Sequence, residues 1–269
     1  MKESAEALER FRKILRPLMP QSLRRLLLNT MAWFASGDLA SLARIYDSDK
    51  WGGHWYAKHY ERHFGARRRK PVKLLEIGIG GYDRPTSGGG SLRMWRTYFP
   101  KGRIYGIDIY DKTAHDEDRI RTYRGDQTSA DFLRRVNAEI GAPDIVIDDG
   151  SHRNEHVIKT FQILFPLLAE NGIYVVEDTQ TSYWPEYGGR SDQLDGASTS
   201  MFFLKKLTDG LNHEEFILPG YTPSYFDQNI VSMHFYHNLV FIYKGSNNEG
   251  SVEIRQNMPP GQGASAGRP

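Results

Sequence analysis

Val72-Lys73-Leu74-Leu75-Glu76-Ile77-Gly78-Ile79-Gly80-Gly81 is the stretch that decides the fold. The apolar run Val72–Ile79 is short and ends among glycines, which reads as a buried strand entering a sharp turn. Glycines there let the backbone reverse direction and come close to a ligand. Outward from this strand, Ser91–Tyr98 reads as a helix, Arg103–Ile109 as a second strand and Arg119–Arg124 as a short third. Ala130–Ile140 is an amphipathic helix with Phe132, Leu133 and Val136 on its apolar side. Asp144–Asp148 is a fourth strand, Asn154–Ala169 a long helix stopped by Asn171-Gly172, and Ile173–Glu177 a fifth strand. A helix around Ser200–Leu211 follows. Ile230–Tyr236 and Leu239–Tyr243 flank His237-Asn238 as a closing hairpin. This alternation predicts the α/β class: a Rossmann-like, doubly wound, mostly parallel seven-stranded sheet that ends in an antiparallel hairpin, with helices at the N-terminal end.

The bulk numbers suit such a fold. At 269 residues the length fits one α/β domain with trimmings, and 39% hydrophobic residues allow a normal core. We expect a basic helical segment over residues 1–40, the main domain over 41–245 and a disordered tail over 246–269, which is rich in Gly, Asn, Pro, Ser and Gln. In the first segment Leu8, Phe11, Leu15, Leu18 and Met19, then Leu23, Leu26 and Leu27, recur at helical spacing. Arg10, Arg12, Lys13, Arg16, Arg24 and Arg25 make it basic. The preferred reading is a helical flap packed on the main domain with its basic residues in solvent. Contact with an acidic membrane surface or a partner chain, including a second copy, stays open.

A net charge of +2 does not favour a nucleic-acid partner. The absence of cysteine excludes disulfides and thiolate-bound zinc and fits a reducing cytoplasm. No apolar run has membrane-spanning length, and Met1-Lys2-Glu3-Ser4 lacks a signal-peptide pattern, so the expected location is cytoplasmic.

Three strand ends carry groups suited to a nucleoside. Glu76 precedes the glycine turn; Asp108, at the end of the second strand, can accept both hydroxyls of a ribose; Asp126-Gln127, after the third, can bond an adenine amine. The glycine pattern departs from a dinucleotide loop, because Asp83 stands where G-x-G-x-x-G would place its last glycine after Gly78 and Gly80. Glu76 would also repel a pyrophosphate. A cofactor with a positive end and no phosphate fits better, and S-adenosylmethionine has both properties.

Two further strand ends carry paired acids: Asp148-Asp149 after Ile147, and Glu177-Asp178 after Val176. Four carboxylates brought together repel one another unless a cation or ligand compensates them. His152 follows Asp149 by three residues, where a near-neutral imidazole can accept a proton.

The E-x-G-x-G turn, the strand-end acid and the closing hairpin resemble class I S-adenosylmethionine-dependent methyltransferases. A narrower resemblance rests on Leu42-Ala43-Arg44-Ile45-Tyr46 with Asp49-Lys50, Gly80-Gly81-Tyr82, Ser91-Leu92-Arg93-Met94-Trp95, Ile147-Asp148-Asp149-Gly150-Ser151-His152 and Val176-Glu177-Asp178-Thr179. Together these are similar to the metal-dependent sugar O-methyltransferases of macrolide biosynthesis, over roughly residues 40–245. Those longer enzymes carry a larger N-terminal domain, so acceptor and oligomeric state do not transfer.

The resemblance implies a Mg²⁺-dependent transfer of methyl from S-adenosylmethionine to a sugar hydroxyl of a glycoside or glycolipid. It puts Asp149, Glu177 and Asp178 in the metal site and suggests His152 as the base. Glu76, Gly78, Gly80, Tyr82, Ser91, Asp108, Asp126 and Gln127 fall to the methyl donor, with Met94 near it. Asp148 is either on the donor side or a brace of the following helix. Tyr183 and Trp184 are candidates for the acceptor, as is the aromatic group Trp51, His54, Trp55 and Tyr56; His156 is expected to pack or brace a carboxylate. A catechol-type methyltransferase would use the same metal chelation. A nicotinamide oxidoreductase and a degenerate α/β binding module fit the residues less well.

Overall fold

The computed structural model describes residues 20–251, which divide into two compact units meeting in sequence at Pro143 and Asp144. The basic positions 10–16, the first set of helical apolar positions and the tail beyond residue 251 lie outside the described residues.

The first unit opens with helices α1 (Gln21–Phe34), α2 (Leu39–Tyr46) and α3 (Ala57–Phe64). Helix α2 starts because Asp38 accepts a hydrogen bond from the Ser41 backbone N–H at 3.0 Å, and it buries Leu39, Leu42, Ala43 and Ile45. Strand β1 (Lys73–Ile77), helix α4 (Gly90–Tyr98), strands β2 (Arg103–Asp108) and β3 (Ile120–Arg124) and helix α5 (Ala130–Ile140) follow. The three strands lie parallel in the order β3-β2-β1. Behind them Tyr60, Phe64, Trp95 and Phe99 form an aromatic cluster with neighbouring rings 4.9–6.5 Å apart. Met94, expected beside the methyl donor, is 1% exposed and belongs to this core.

In α1 the expected apolar face is incomplete. Ala32 is buried, whereas Leu23, Leu26, Trp33 and Phe34 are exposed. At the end of α4 the Arg119 guanidinium donates to the carbonyls of Arg96, Phe99 and Gly102 at 2.9–3.1 Å, satisfying backbone groups that the helix end leaves open.

The second unit holds β4 (Ile145–Asp148), α6 (Asn154–Leu167), β5 (Ile173–Glu177), α7 (Ser200–Gly210), the short α8 (Tyr225–Asn229), β6 (Ile230–Tyr236) and β7 (Leu239–Lys244). Its strands run in the order β4-β5-β7-β6. The first pair is parallel, and β7 and β6 close the order as the expected antiparallel hairpin, with Asn238 taking a positive φ of 61° in the turn. Phe161 packs against Phe165, Tyr174, Phe203 and Phe226 in its core.

Helix α6 stops two residues before the expected end. Pro166 sits in its last turn, Leu168 is extended, and Asn171 with φ 58° turns the chain into β5. The buried Lys244 ammonium donates to the carbonyls of Pro166 and Leu168 at 2.9 and 2.7 Å, so a lysine on β7 caps the helix. The seven strands, mostly parallel with a closing antiparallel hairpin, and their intervening helices give the α/β, Rossmann-like class expected from the sequence.

Candidate active site

In the first unit the β1 turn is built on positive φ angles: 87° at Gly78, 73° at Gly80, 77° at Gly81 and 49° at Tyr82. The returning chain presses against it, and a Cβ at Gly88 would collide with the carbonyls of Ile79 and Gly80. Asp108 pins the turn. One carboxylate oxygen accepts from the Ile79 N–H at 3.0 Å and the other from the Tyr110 N–H at 2.9 Å. Tyr82 is exposed at the tip.

Glu76 is fully buried and lies in an ion pair with Lys50 at 3.3 Å. Ser91 Oγ donates to its Oε2 at 2.8 Å, and Trp95 Nε1 to its Oε1 at 3.3 Å. Glu76 is thus enclosed by Lys50, Ser91 and Trp95 rather than presented on an open surface. Asp126 is exposed and accepts from the Thr128 N–H at 2.7 Å, while the adjacent Gln127 is buried. The aromatic group before β1 is only partly enclosed. Trp51 and Trp55 meet edge to face at 4.9 Å, His54 stacks on Tyr56 at 4.7 Å, and Trp55 stays exposed.

In the second unit Asp149, His152 and Asp178 each offer a ligand atom, and the three atoms lie within 4.8 Å of one another. All three side chains are partly exposed. His152 Nε2 is 3.9 Å from Asp149 Oδ1 and 3.8 Å from Asp178 Oδ2. These separations exceed a hydrogen bond but suit groups arranged about a common centre. Two of these residues have left-handed backbones, His152 with φ 56° and Asp178 with φ 54°, values that non-glycine residues seldom adopt. Two carboxylates with an imidazole fit a divalent cation in donor chemistry.

Glu177, the last residue of β5, is 2% exposed and does not join the three atoms that converge. Asp148 is likewise buried and accepts from the Tyr174 hydroxyl at 3.5 Å. Burial pushes the Tyr174 phenol well above its ordinary range, and the Asp148 charge adds to the rise, so the phenol keeps its proton and serves as donor. His156 bonds Ser151 Oγ at 2.9 Å through Nδ1 and lies 3.6 Å from the Glu155 carboxylate, in keeping with a bracing role. Tyr183 is half-buried, and Trp184 is exposed beside Tyr187, with ring centres 6.0 Å apart.

Sequence reasoning missed Asn154 and Lys50 as structural centres. Lys50 stands between Asp49 and Trp51, a local setting that does not record its burial against Glu76. Asn154 read only as a helix start.

No family model matches the chain. It is 50% identical over 217 residues to mycinamicin VI 2''-O-methyltransferase of Micromonospora griseorubida, covering 80% of this chain and 54% of that one. A second relative, 8-demethyl-8-(2-methoxy-alpha-L-rhamnosyl)-tetracenomycin-C 3'-O-methyltransferase of Streptomyces olivaceus, is 49% identical over 218 residues, covering 80% of this chain and 56% of its own. Among solved structures, the MycE methyltransferase of the mycinamycin biosynthetic pathway, in complex with Mg and SAH, superposes with a TM-score of 0.79 at 48% identity. That match covers 82% of this chain and 58% of MycE. The chain thus spans a little over half the length of these relatives.

Proposed function

We propose that this chain is a Mg²⁺-dependent O-methyltransferase that moves a methyl group from S-adenosylmethionine to a sugar hydroxyl of a glycosylated natural product. The observation that carries this reading is the convergence of Asp149, His152 and Asp178 within 4.8 Å. Support comes from the sugar O-methyltransferase homologues and from MycE, solved with Mg, SAH and mycinamycin VI.

Asp149, Asp178 and the neighbouring Glu177 are the residues that would hold the cation. When bound, Mg²⁺ supplies Lewis acidity that lowers the pKa of a chelated sugar hydroxyl. His152 receives the hydroxyl proton, and the carboxylates of Asp149 and Asp178, 3.9 and 3.8 Å from its Nε2, stabilise the imidazolium that results. The sugar oxygen forms its bond to the methyl carbon as the carbon–sulfur bond breaks, and S-adenosylhomocysteine leaves.

The methyl donor is assigned to the β1 turn with Gly78, Gly80 and Tyr82, to Ser91 backed by Glu76, to Asp108 for the ribose hydroxyls and to Asp126 and Gln127 for the adenine. Asp148 supports the donor side, and Tyr183 and Trp184 offer aromatic faces to the acceptor. No helix among the described residues is long and apolar enough to cross a membrane. The cytoplasm is the compartment we assign. Contact of the basic N-terminal segment with a membrane or a second copy is tested by vesicle binding and sedimentation of a truncated form.

Calorimetry with S-adenosylmethionine and with NAD decides the donor. The reading requires S-adenosylmethionine to bind. Tight NAD binding without it would remove the methyltransferase assignment in favour of hydride transfer.

A further inference from the structure

Asn154 is the first residue of α6, two positions after His152, and is 1% exposed. It does not cap its helix in the usual way, since the cap position is Arg153 and has no side-chain capping bond. Its carboxamide instead points to the segment that follows β5. Nδ2 donates to the carbonyls of Thr181 and Tyr187 at 3.1 and 3.0 Å. Oδ1 accepts from the Ser182 hydroxyl at 3.1 Å, and from the Ser200 N–H and hydroxyl at 2.7 and 2.9 Å.

The Thr181 link continues to the cation site. The Thr181 N–H and hydroxyl both donate to the Asp178 carbonyl, at 3.1 and 2.9 Å. Asp178 is the residue whose backbone is held at φ 54°, a conformation that persists only when its surroundings enforce it. A continuous path therefore runs from the helix that follows Asp149 and His152, through the Asn154 amide and Thr181, to the backbone of Asp178. The second amide bond, to Tyr187, fixes the far end of the short segment carrying Tyr183 and Trp184.

We propose that Asn154 is a positioning residue. It sets the spacing between Asp149 and His152 on one segment and Asp178 on the other, and it holds the aromatic acceptor segment in register with them. This rests on reading the cluster as a cation site. Ligands are oriented by the groups behind them, and losing such a group costs about 10–100-fold in metal affinity. An amide suits the task because it donates to two carbonyls and accepts on its other side without bringing a charge into a buried place.

The experiment measures Mn²⁺ affinity of the full chain by paramagnetic resonance, without methyl donor or acceptor, alongside urea unfolding. Asn154→Ala is expected to weaken Mn²⁺ binding by about tenfold or more. Ser200→Ala removes the hydroxyl bonds to Asn154 Oδ1 and Ser182, and leaves the Ser200 N–H bond to Oδ1 and the links to Thr181 and Tyr187. It is expected to lower stability while keeping Mn²⁺ affinity near the wild-type value. If Asn154→Ala does not fold, Thr181→Val serves instead: it removes the hydroxyl bond to Asp178 and is expected to weaken Mn²⁺ binding as well. Unchanged Mn²⁺ affinity in the folded variant, with only a loss of stability, would reduce Asn154 to a structural role and overturn the proposal. Absence of Mn²⁺ binding by the wild-type chain is a different failure. It would overturn the cation-site reading, and the positioning role with it.

Discussion

Lys50 and Glu76 form an ion pair at 3.3 Å in which both side chains are completely shielded from solvent. Such a pair is expensive to leave half-made, because the remaining charge has no water to turn to. Lys50→Met is expected to destabilise the chain by about 3–5 kcal/mol, read from urea unfolding. The double change Lys50→Met with Glu76→Leu should recover part of that loss. A single variant as stable as wild type would show that Glu76 is not held as a charged group.

Asp149→Ala and Asp178→Ala should abolish metal-dependent methyl transfer while leaving S-adenosylhomocysteine binding largely intact. Calorimetry with the nucleoside and with Mn²⁺ separates the two effects. Glu177→Ala is predicted to do the same, although its side chain is buried and outside the three converging ligand atoms. If Glu177→Ala retains Mn²⁺ affinity, the acid supports the strand end rather than the cation.

His152 stands close enough to both acids to act as a ligand or as a base. As the base, its replacement in His152→Ala should lower turnover by about 10²–10⁴-fold with little change in Mn²⁺ affinity. A comparable loss of Mn²⁺ affinity would make it a ligand instead.

His115 ties the glycine-rich segment after β1 to α4. Its Nε2 donates to the Ser87 carbonyl at 3.1 Å, and its Nδ1 faces an Arg93 nitrogen at 3.3 Å, an arrangement that the neutral ring satisfies. Burial lowers the imidazole pKa below its usual 6.5; the Ser87 carbonyl opposes this, and Arg93 and Lys112 add to the lowering. The folded state thus binds this proton less readily than the unfolded chain. Its contribution to stability is present above 6.5 and is lost as the pH falls below that value, towards and through the lowered folded pKa. Urea midpoints should decline over that range, and His115→Asn should flatten the decline. An identical slope in wild type and variant would assign it to other groups.

The sequence makes the strand and helix order legible because apolar runs, glycine turns and strand-end acids coincide in it. The paired acids also mark the segments on which Asp149, His152 and Asp178 converge. What it conceals is which members of each pair face inward. Asp148 and Glu177 end their strands buried, whereas Asp149 and Asp178 lie one residue further on, in turns that bring them out beside His152. Lys244, Arg119 and Asn154 are illegible for a related reason. Each meets partners distant in sequence, up to 78 residues away for Lys244 and 46 for Asn154, and no local pattern records such contacts.

The most direct test of the account is methyl transfer itself. The chain is incubated with S-adenosylmethionine and a deoxysugar-bearing macrolide, with Mg²⁺ or with an excess of chelator, and the products are read by mass spectrometry. One added methyl group on the sugar is expected when Mg²⁺ is present, and none when it is removed. Methylation that proceeds undiminished in the chelator would contradict that expectation.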